Sequence, residues 1–267
     1  MHRGPRLLLL PNVWDVASAR VFEEAGFGAL ATTSAGIAFS LGYPDCERIS
    51  REEMLEVVAR IAAAVGVPVT ADVESGYGHH PEDAAETARA VIAAGAVGMN
   101  LEDADHREEA KLFPLALQLE KIAAVREAAT RAGVPIVLNA RTDVYLLEIG
   151  APETRMKAAL ERLAAFRDAG ADCLFVPGLR DPAIIAKFVQ ELRHPINILA
   201  GPGFPPIPDL EQMGVARVSL GSGLMRATLG LIQRMAQELK ATGTYRAFEG
   251  GIPYSDLNRM LETRKEG

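Results

Sequence analysis

The sequence predicts an α/β protein, a (β/α)8 barrel, and three observations predict it. Eight short apolar runs, often β-branched, alternate with amphipathic segments along the 267 residues. The runs are close to continuously apolar, as parallel strands covered on both faces are. No GxGxxG fingerprint follows the first run, which weighs against the rival architecture, an open doubly wound sheet.

The runs in order are RLLLLPNVWD, GALATTSAG, VPVTADVESG, VGMNLEDAD, VPIVLNARTD, ADCLFVPG, INILAGPG and ARVSLGSG. Between them lie segments such as REEMLEVVARIAAAVG and TRMKAALERLAAFRDAG, with apolar residues at spacings of three and four. Gly26, Gly66, Gly95, Gly133 and Gly170 stand where helices should close with a left-handed cap. Such alternation builds parallel βαβ units, and eight of them match the usual barrel length of about 250 residues. From Gly223 onward the chain reads as helical: GLMRATLGLIQRMAQELKATG suits the eighth barrel helix, and SDLNRMLETRKEG is an additional one. No linker or low-complexity tract interrupts residues 1–267, so one domain is expected.

Composition narrows the function. The chain is 49% hydrophobic and 24% charged, as expected of a globular protein with a full core. A net charge of −7 disfavours nucleic acid and anionic membranes as partners. No apolar run is long enough to span a bilayer. Two cysteines, Cys46 and Cys173, make no disulfide framework and suit a reducing compartment, so a cytoplasmic location is expected.

In a barrel all strand C-termini share one face. That gathers Asn12 and Asp15, then Thr32, Thr33, Ser34 and Gly36 with Tyr43 and Asp45 beyond them. The next three strand ends add Asp72 and Glu74, Asn100, Glu102 and Asp103, then Asn139, Arg141 and Asp143. Asp72 and Glu74 are one residue apart and, on a strand, point the same way. With Glu102 they would repel unless a divalent cation lies among them. Only oxygen ligands are offered, and no histidine or cysteine cluster has zinc spacing, which selects Mg²⁺ or Mn²⁺. The alternative is that these acids cap helices or pair with Arg141. Arg141 is the natural receptor for an anion, since its planar fork matches a carboxylate. Ser34 and Gly36 could offer donors to a carboxylate or oxyanion, or could simply permit a tight turn.

The segments TTSAG, GYPD, TADVESGYG, NLED and NARTD, in this order, resemble the signature segments of the isocitrate lyase and phosphoenolpyruvate mutase superfamily. The resemblance runs from LPNVWDVASARVFEEAGF to GVARVSLGSGLMRA. It implies Mg²⁺ held near Asp72, Glu74 and Glu102, with Asp45 linked to it through water. It implies that Ser34, Ala35 and Gly36, joined by Thr33 and Asn100, bind the substrate, and that Arg141 holds its oxyanion end. It also implies a homodimer or homotetramer, often with the last helix exchanged between subunits. The implied activity is Mg²⁺-dependent cleavage of a carbon–carbon bond in a small 2-oxo or 2-hydroxy di- or tricarboxylic acid, through an enolate.

Two departures from the family pattern qualify that reading. Lyases of this family carry Lys-Lys-Cys-Gly-His after the fourth strand, whereas this chain has ADHREEAKLFPL and no cysteine there. The Asn and Thr after the seventh strand are replaced by LAGPGFPP. Candidates for the missing proton donor are His106, Lys111 and Tyr43; His106 has a suitable intrinsic pKa, but the plainer expectation for it is an exposed loop residue. Two other functions stay open: a mutase or hydrolase of phosphonopyruvate, and a non-catalytic barrel that binds 2-oxo acids.

Overall fold

The structure is a computed structural model and describes residues 2, 4, 6–108 and 110–262. Glu109 and the last five residues of the expected 1–267 domain lie outside the described residues, as do Met1, Arg3 and Pro5.

The strands are all parallel and form one sheet in the order β1-β9-β8-β7-β6-β5-β4-β3-β2. They are β1 (Leu8–Leu10), β2 (Asn12–Val13), β3 (Leu30–Thr32), β4 (Val69–Asp72), β5 (Gly98–Glu102), β6 (Val137–Arg141), β7 (Cys173–Phe175), β8 (Ile196–Leu199) and β9 (Arg217–Ser219). Eight runs become nine strands because the first is broken at Pro11. Proline has no N–H for the ladder, although its carbonyl still accepts from Ala31 N at 3.0 Å. The two halves then face opposite neighbours: β1 pairs with β9, and β2 with β3. The first run therefore joins β9 to β3, which makes a barrel and not an open sheet.

Helices alternate with the strands: α1 (Val16–Glu24), α2 (Ser34–Ser40), α3 (Arg51–Ala64), α4 (Pro81–Ala93), α5 (Leu115–Ala132), α6 (Pro152–Asp168), α7 (Pro182–Leu192), α8 (Ile207–Gln212), α9 (Gly223–Thr242) and α10 (Tyr254–Glu262). None of them is long and apolar enough to cross a membrane. The main core lies between sheet and helices, where Met99, Leu101, Leu138 and Leu174 meet Ile122, Val125, Phe166 and Phe188. Since side chains alternate along a strand, the opposite parity lines the barrel axis. That parity is polar: Thr70 and Asp72 on β4, Asn100 and Glu102 on β5, Asn139 and Arg141 on β6, Arg217 and Ser219 on β9.

Two local expectations are corrected. Gly133 caps α5 in the left-handed conformation (φ +68°), but Gly66 does not cap α3. That helix ends on an extended Val65, and the Gly66 N–H is taken by Glu23 Oε1 at 2.6 Å. Helix α9 is not a packed barrel helix along its length: it buries only Met225 and leaves Leu229, Leu231, Ile232 and Leu239 exposed. The additional helix α10 instead covers α1, with Met260 buried and its carbonyl accepting from Arg20 Nε at 3.0 Å.

Candidate active site

Three adjacent strands end in charge. β4 closes on Asp72, β5 on Glu102 and β6 on Arg141, with Glu102 and Arg141 register partners. Asp72 Oδ2 accepts from Ser34 N (3.1 Å) and Ser34 Oγ (2.9 Å), and Oδ1 from Asn100 Nδ2 at 3.3 Å. Ser34 reaches it because Thr33 caps α2, its hydroxyl accepting from Gly36 N at 3.2 Å. Ser34 and Gly36 thus spend these donors within the protein. Gly36 is also required sterically: a Cβ there would lie 2.5 Å from Thr33 Cγ2 and 3.1 Å from Trp14 Cβ. Ala35 is buried beside them, and Asn100 links Asp72 to Asn139, whose Nδ2 donates to Asn100 Oδ1 at 2.7 Å.

Beyond β4 the backbone is contorted. Glu74 and Tyr77 have positive φ (+50° and +57°), as do Cys46 and Glu47 (+75° and +53°) in the loop after α2. Left-handed residues other than glycine cost about 1 kcal/mol or more each and persist only where other contacts hold them. Here the two loops latch together. Glu47 N donates to Glu74 Oε2 at 2.6 Å, and Glu47 Oε1 accepts from Ser75 Oγ (2.7 Å) and Tyr77 N (2.9 Å). Lys121, fully buried, clamps the turn from below through the carbonyls of Ser75 and Gly78. Burial lowers its pKa to about 8.

Two cations answer the acids. Arg141 directs Nε and Nη2 to Asp143 (2.6 and 2.9 Å) and Nη1 to Glu102 Oε2 (2.6 Å). His106 Nε2 stands 2.7 Å from Glu102 Oε1 and 3.6 Å from Glu74 Oε2. Its side chain is 15% exposed, so the exposed-loop reading of His106 does not hold. Burial opposes its charge, but contacts with the Cys46 and Glu102 side chains and the charge of Glu74 outweigh that and raise its pKa to about 11. Glu102 is pushed up to about 7 by burial, against the pull of Arg141. Glu74 is pushed up to about 9, by burial first and then by the charges of Glu102 and Asp45. Asp45 is raised by burial and by Asp72.

Other expected residues take structural roles. Asn12 bridges the barrel seam, accepting from Leu220 N and Gly221 N and donating to Thr32 O. Asp15 caps α1. Asp103 accepts from Arg162 Nε, Thr142 Oγ1 and Asp143 N, so it braces the carboxylate that holds Arg141. Lys111 pairs outward with Glu108, and Tyr43 is exposed.

A hard divalent cation fits the chemistry of this donor set, which is oxygen only at Asp45, Asp72, Glu74 and Glu102. Burial, and then the charges of Glu102 and Asp45, raise Glu74, and a cation there would offset the repulsion. Their rotamers do not converge on a single ion-sized position: among the described residues no three His, Cys, Asp or Glu side chains do. His106 occupies the space between Glu74 and Glu102. Asp72 Oδ1 is held by one long contact, from Asn100 Nδ2.

Sequence reasoning overlooked Glu47, Lys121 and the approach of Cys46 to His106. Glu47 lies two residues past Asp45 in GYPDCER, so its charge was visible, but not the left-handed backbone that turns it inward.

A family profile described as phosphoenolpyruvate phosphomutase matches residues 1–240. A crystal structure from Burkholderia cenocepacia, provisionally described as a lyase or mutase, superposes with a TM-score of 0.91 at 40% identity, covering 98% of this chain and 92% of that one. Oxaloacetate acetylhydrolase, solved with 3,3-difluorooxalacetate, superposes at 0.85 with 28% identity over 97% and 89% of the two chains. The 2-methylisocitrate lyase of Bacillus subtilis is 29% identical over 275 residues, 98% of this chain and 84% of its own.

Proposed function

The chain belongs to the phosphoenolpyruvate phosphomutase family, and from that premise we propose that it is a Mg²⁺-dependent carbon–carbon lyase acting on a small 2-oxo or 2-hydroxy di- or tricarboxylic acid. The observation that carries this is the gathering of Asp45, Asp72, Glu74 and Glu102 about one guanidinium and one imidazolium at the barrel mouth. The relatives support it: one is named as a 2-methylisocitrate lyase, and another was solved with a difluorinated oxaloacetate.

Asp72, Glu74 and Glu102 would hold the metal, directly or through water, with Asp45 in the outer layer. The metal when bound supplies Lewis-acid stabilisation of charge that develops on the substrate. The side chains do the rest. Arg141 directs three of its five N–H groups at Asp143 and Glu102, which leaves two to receive a substrate oxygen. Asp143, whose backbone N–H donates to Asp103, itself paired with Arg162, keeps that fork from rotating. Cleavage next to the 2-oxygen sends electrons towards the enolate oxygen, where a positioned guanidinium is most effective in a site with little water. His106, 2.7 Å from Glu102 Oε1, is the acid that protonates the resulting carbon. Thr33, Ser34, Ala35, Gly36 and Asn100 form the wall against which the substrate carboxylate rests.

The exposed apolar residues of α9 support a homo-oligomer in which this helix is covered by a partner. Two unpaired cysteines fit a cytoplasmic setting.

The test is a product-release assay on oxaloacetate, 2-methylisocitrate, isocitrate and phosphonopyruvate, with Mg²⁺ or EDTA. Mg²⁺-dependent turnover of a carbon acid supports the reading. Turnover of phosphonopyruvate alone would replace it with phosphorus–carbon chemistry. Thermal stabilisation by 2-oxo acids without any turnover would replace it with a binding role.

A further inference from the structure

The opposite end of the barrel holds a charge that the proposed chemistry does not use. Arg217, on β9, is 1% exposed and points along the barrel axis. Among the described residues its side chain makes one hydrogen bond, a long one from Nη2 to Asn100 Oδ1 at 3.4 Å, and its Nε has no partner. No carboxylate pairs with it among the described residues. The carboxylate that acts on it is Asp72, on the far side of Asn100, and the nearby Cys173 thiol is neutral because burial pushes it up to about 12. A guanidinium so enclosed is costly without a counter-charge.

Beside it lies a cavity of about 90 Å³, walled by apolar side chains such as Leu8, Leu30 and Val137. Arg217, Thr70 and His2 also line it. Each presents a buried polar atom with no hydrogen-bond partner: Arg217 Nε, Thr70 Oγ1 and His2 Nε2. Burial, and then the charge of Arg217, depress the His2 pKa to about 4, so its ring is neutral near pH 7 and has one N–H to give. Three potential donors facing one small chamber, with one net positive charge among them, describe an anion receptor. Water could answer the hydrogen bonds, since the chamber exceeds the volume one molecule needs. Water could not answer the charge.

We propose that this cavity at the foot of the barrel is a binding site for a small monovalent anion of halide size, held by Arg217, Thr70 and His2. The single buried charge selects a monovalent ion. The apolar walls select a weakly hydrated one. Through Arg217 and Asn100 the bound ion is joined to Asp72, so the site supports the barrel axis beneath the catalytic mouth.

The test uses the full untagged chain in EDTA at pH 7 and constant ionic strength. Sodium chloride or bromide replaces the sodium salt of morpholinopropanesulfonate, whose anion is far bulkier than a halide. Halide should raise Tm saturably, by about 2–4 °C once it exceeds its dissociation constant several-fold. The rise should vanish in Arg217→Met. Should that variant fail to fold, Thr70→Val must shift the halide dependence to higher concentration. A crystal grown in bromide should give an anomalous peak within hydrogen-bond distance of Arg217 Nε. Equal Tm in both salts, an undiminished halide effect in both variants, or a bromide crystal with only water in the cavity would overturn the proposal.

Discussion

His106, on the loop that leaves β5, contacts Glu102, the last residue of that strand, with Nε2 2.7 Å from Oε1. The same imidazole nitrogen lies 3.6 Å from Glu74 Oε2 on the neighbouring strand's loop. One histidine therefore stands between two of the acids. His106→Gln keeps the size and polarity of the side chain but removes the transferable proton. Turnover by the lyase should fall by about 10²- to 10⁴-fold with little change in KM. Steady-state kinetics on whichever carbon acid is turned over will decide it. An unchanged kcat in a folded His106→Gln protein would remove His106 from the chemistry.

Arg141 tests the opposite side of the site. Lysine preserves the charge but cannot span Asp143 and Glu102 together, because it lacks the planar fork. Arg141→Lys should lower kcat/KM by about 10²-fold or more and also lower Tm, since Asp143 and Glu102 are left with weaker partners in a buried setting. Arg141→Ala should abolish turnover and 2-oxo acid binding together. Calorimetric binding of a non-reactive 2-oxo acid separates the two losses. Full affinity in Arg141→Ala would mean that another residue is the anion receptor.

Packing gives a third prediction. The Cβ added in Gly36→Ala meets Thr33 Cγ2 at 2.5 Å and Trp14 Cβ at 3.1 Å. Thr33 cannot rotate away freely, because its hydroxyl accepts the Gly36 N–H that caps α2. Overpacking of this kind costs about 1–3 kcal/mol. It should also move Ser34, whose N and Oγ both hold Asp72. Gly36→Ala should therefore lose stability in chemical denaturation and lose Mg²⁺-dependent stabilisation as well. A variant that lost only stability would show that Ser34 and Asp72 keep their geometry without the glycine.

Much of this site was legible in the sequence, for a physical reason. Parallel strands deliver their C-terminal residues to one face, so Asp72, Glu102 and Arg141 could be brought together by order alone. Local breaks were less visible. Pro11 announced itself as a proline, yet only the pairing pattern shows that it divides one run between two neighbours. The latch between Glu47 and the turn after Glu74 depends on left-handed backbone at four residues that are not glycine, which propensity disfavours and tertiary contact imposes. Helix α9 has the apolar period of a packed barrel helix, but a period says only that a face is apolar and not that the barrel covers it. Arg217 stands within the run ARVSLGSG, whose sequence does not tell that its Nε lacks a partner in the folded barrel.

The raised pKa of Glu74 gives a prediction whose sign differs with and without metal. Burial, then Glu102 and Asp45, lift it from 4.5 to about 9. In the metal-free protein the folded state keeps a proton that the unfolded chain releases above about pH 4.5. Stability from this group is thus fully present below 4.5 and is lost as pH rises through about 9. Glu74→Gln imitates the protonated form and can still accept the Glu47 N–H, so it escapes that loss. In EDTA the Tm of Glu74→Gln should overtake the wild type as pH rises from 5 to 9. With Mg²⁺ the order should reverse, because the wild type gains binding free energy that a neutral amide supplies poorly. Scanning calorimetry across that pH range, with EDTA or Mg²⁺, reads both effects. Parallel curves in EDTA would mean that Glu74 is not held protonated by its neighbours. Equal Mg²⁺ stabilisation of both proteins would mean that it is not a ligand.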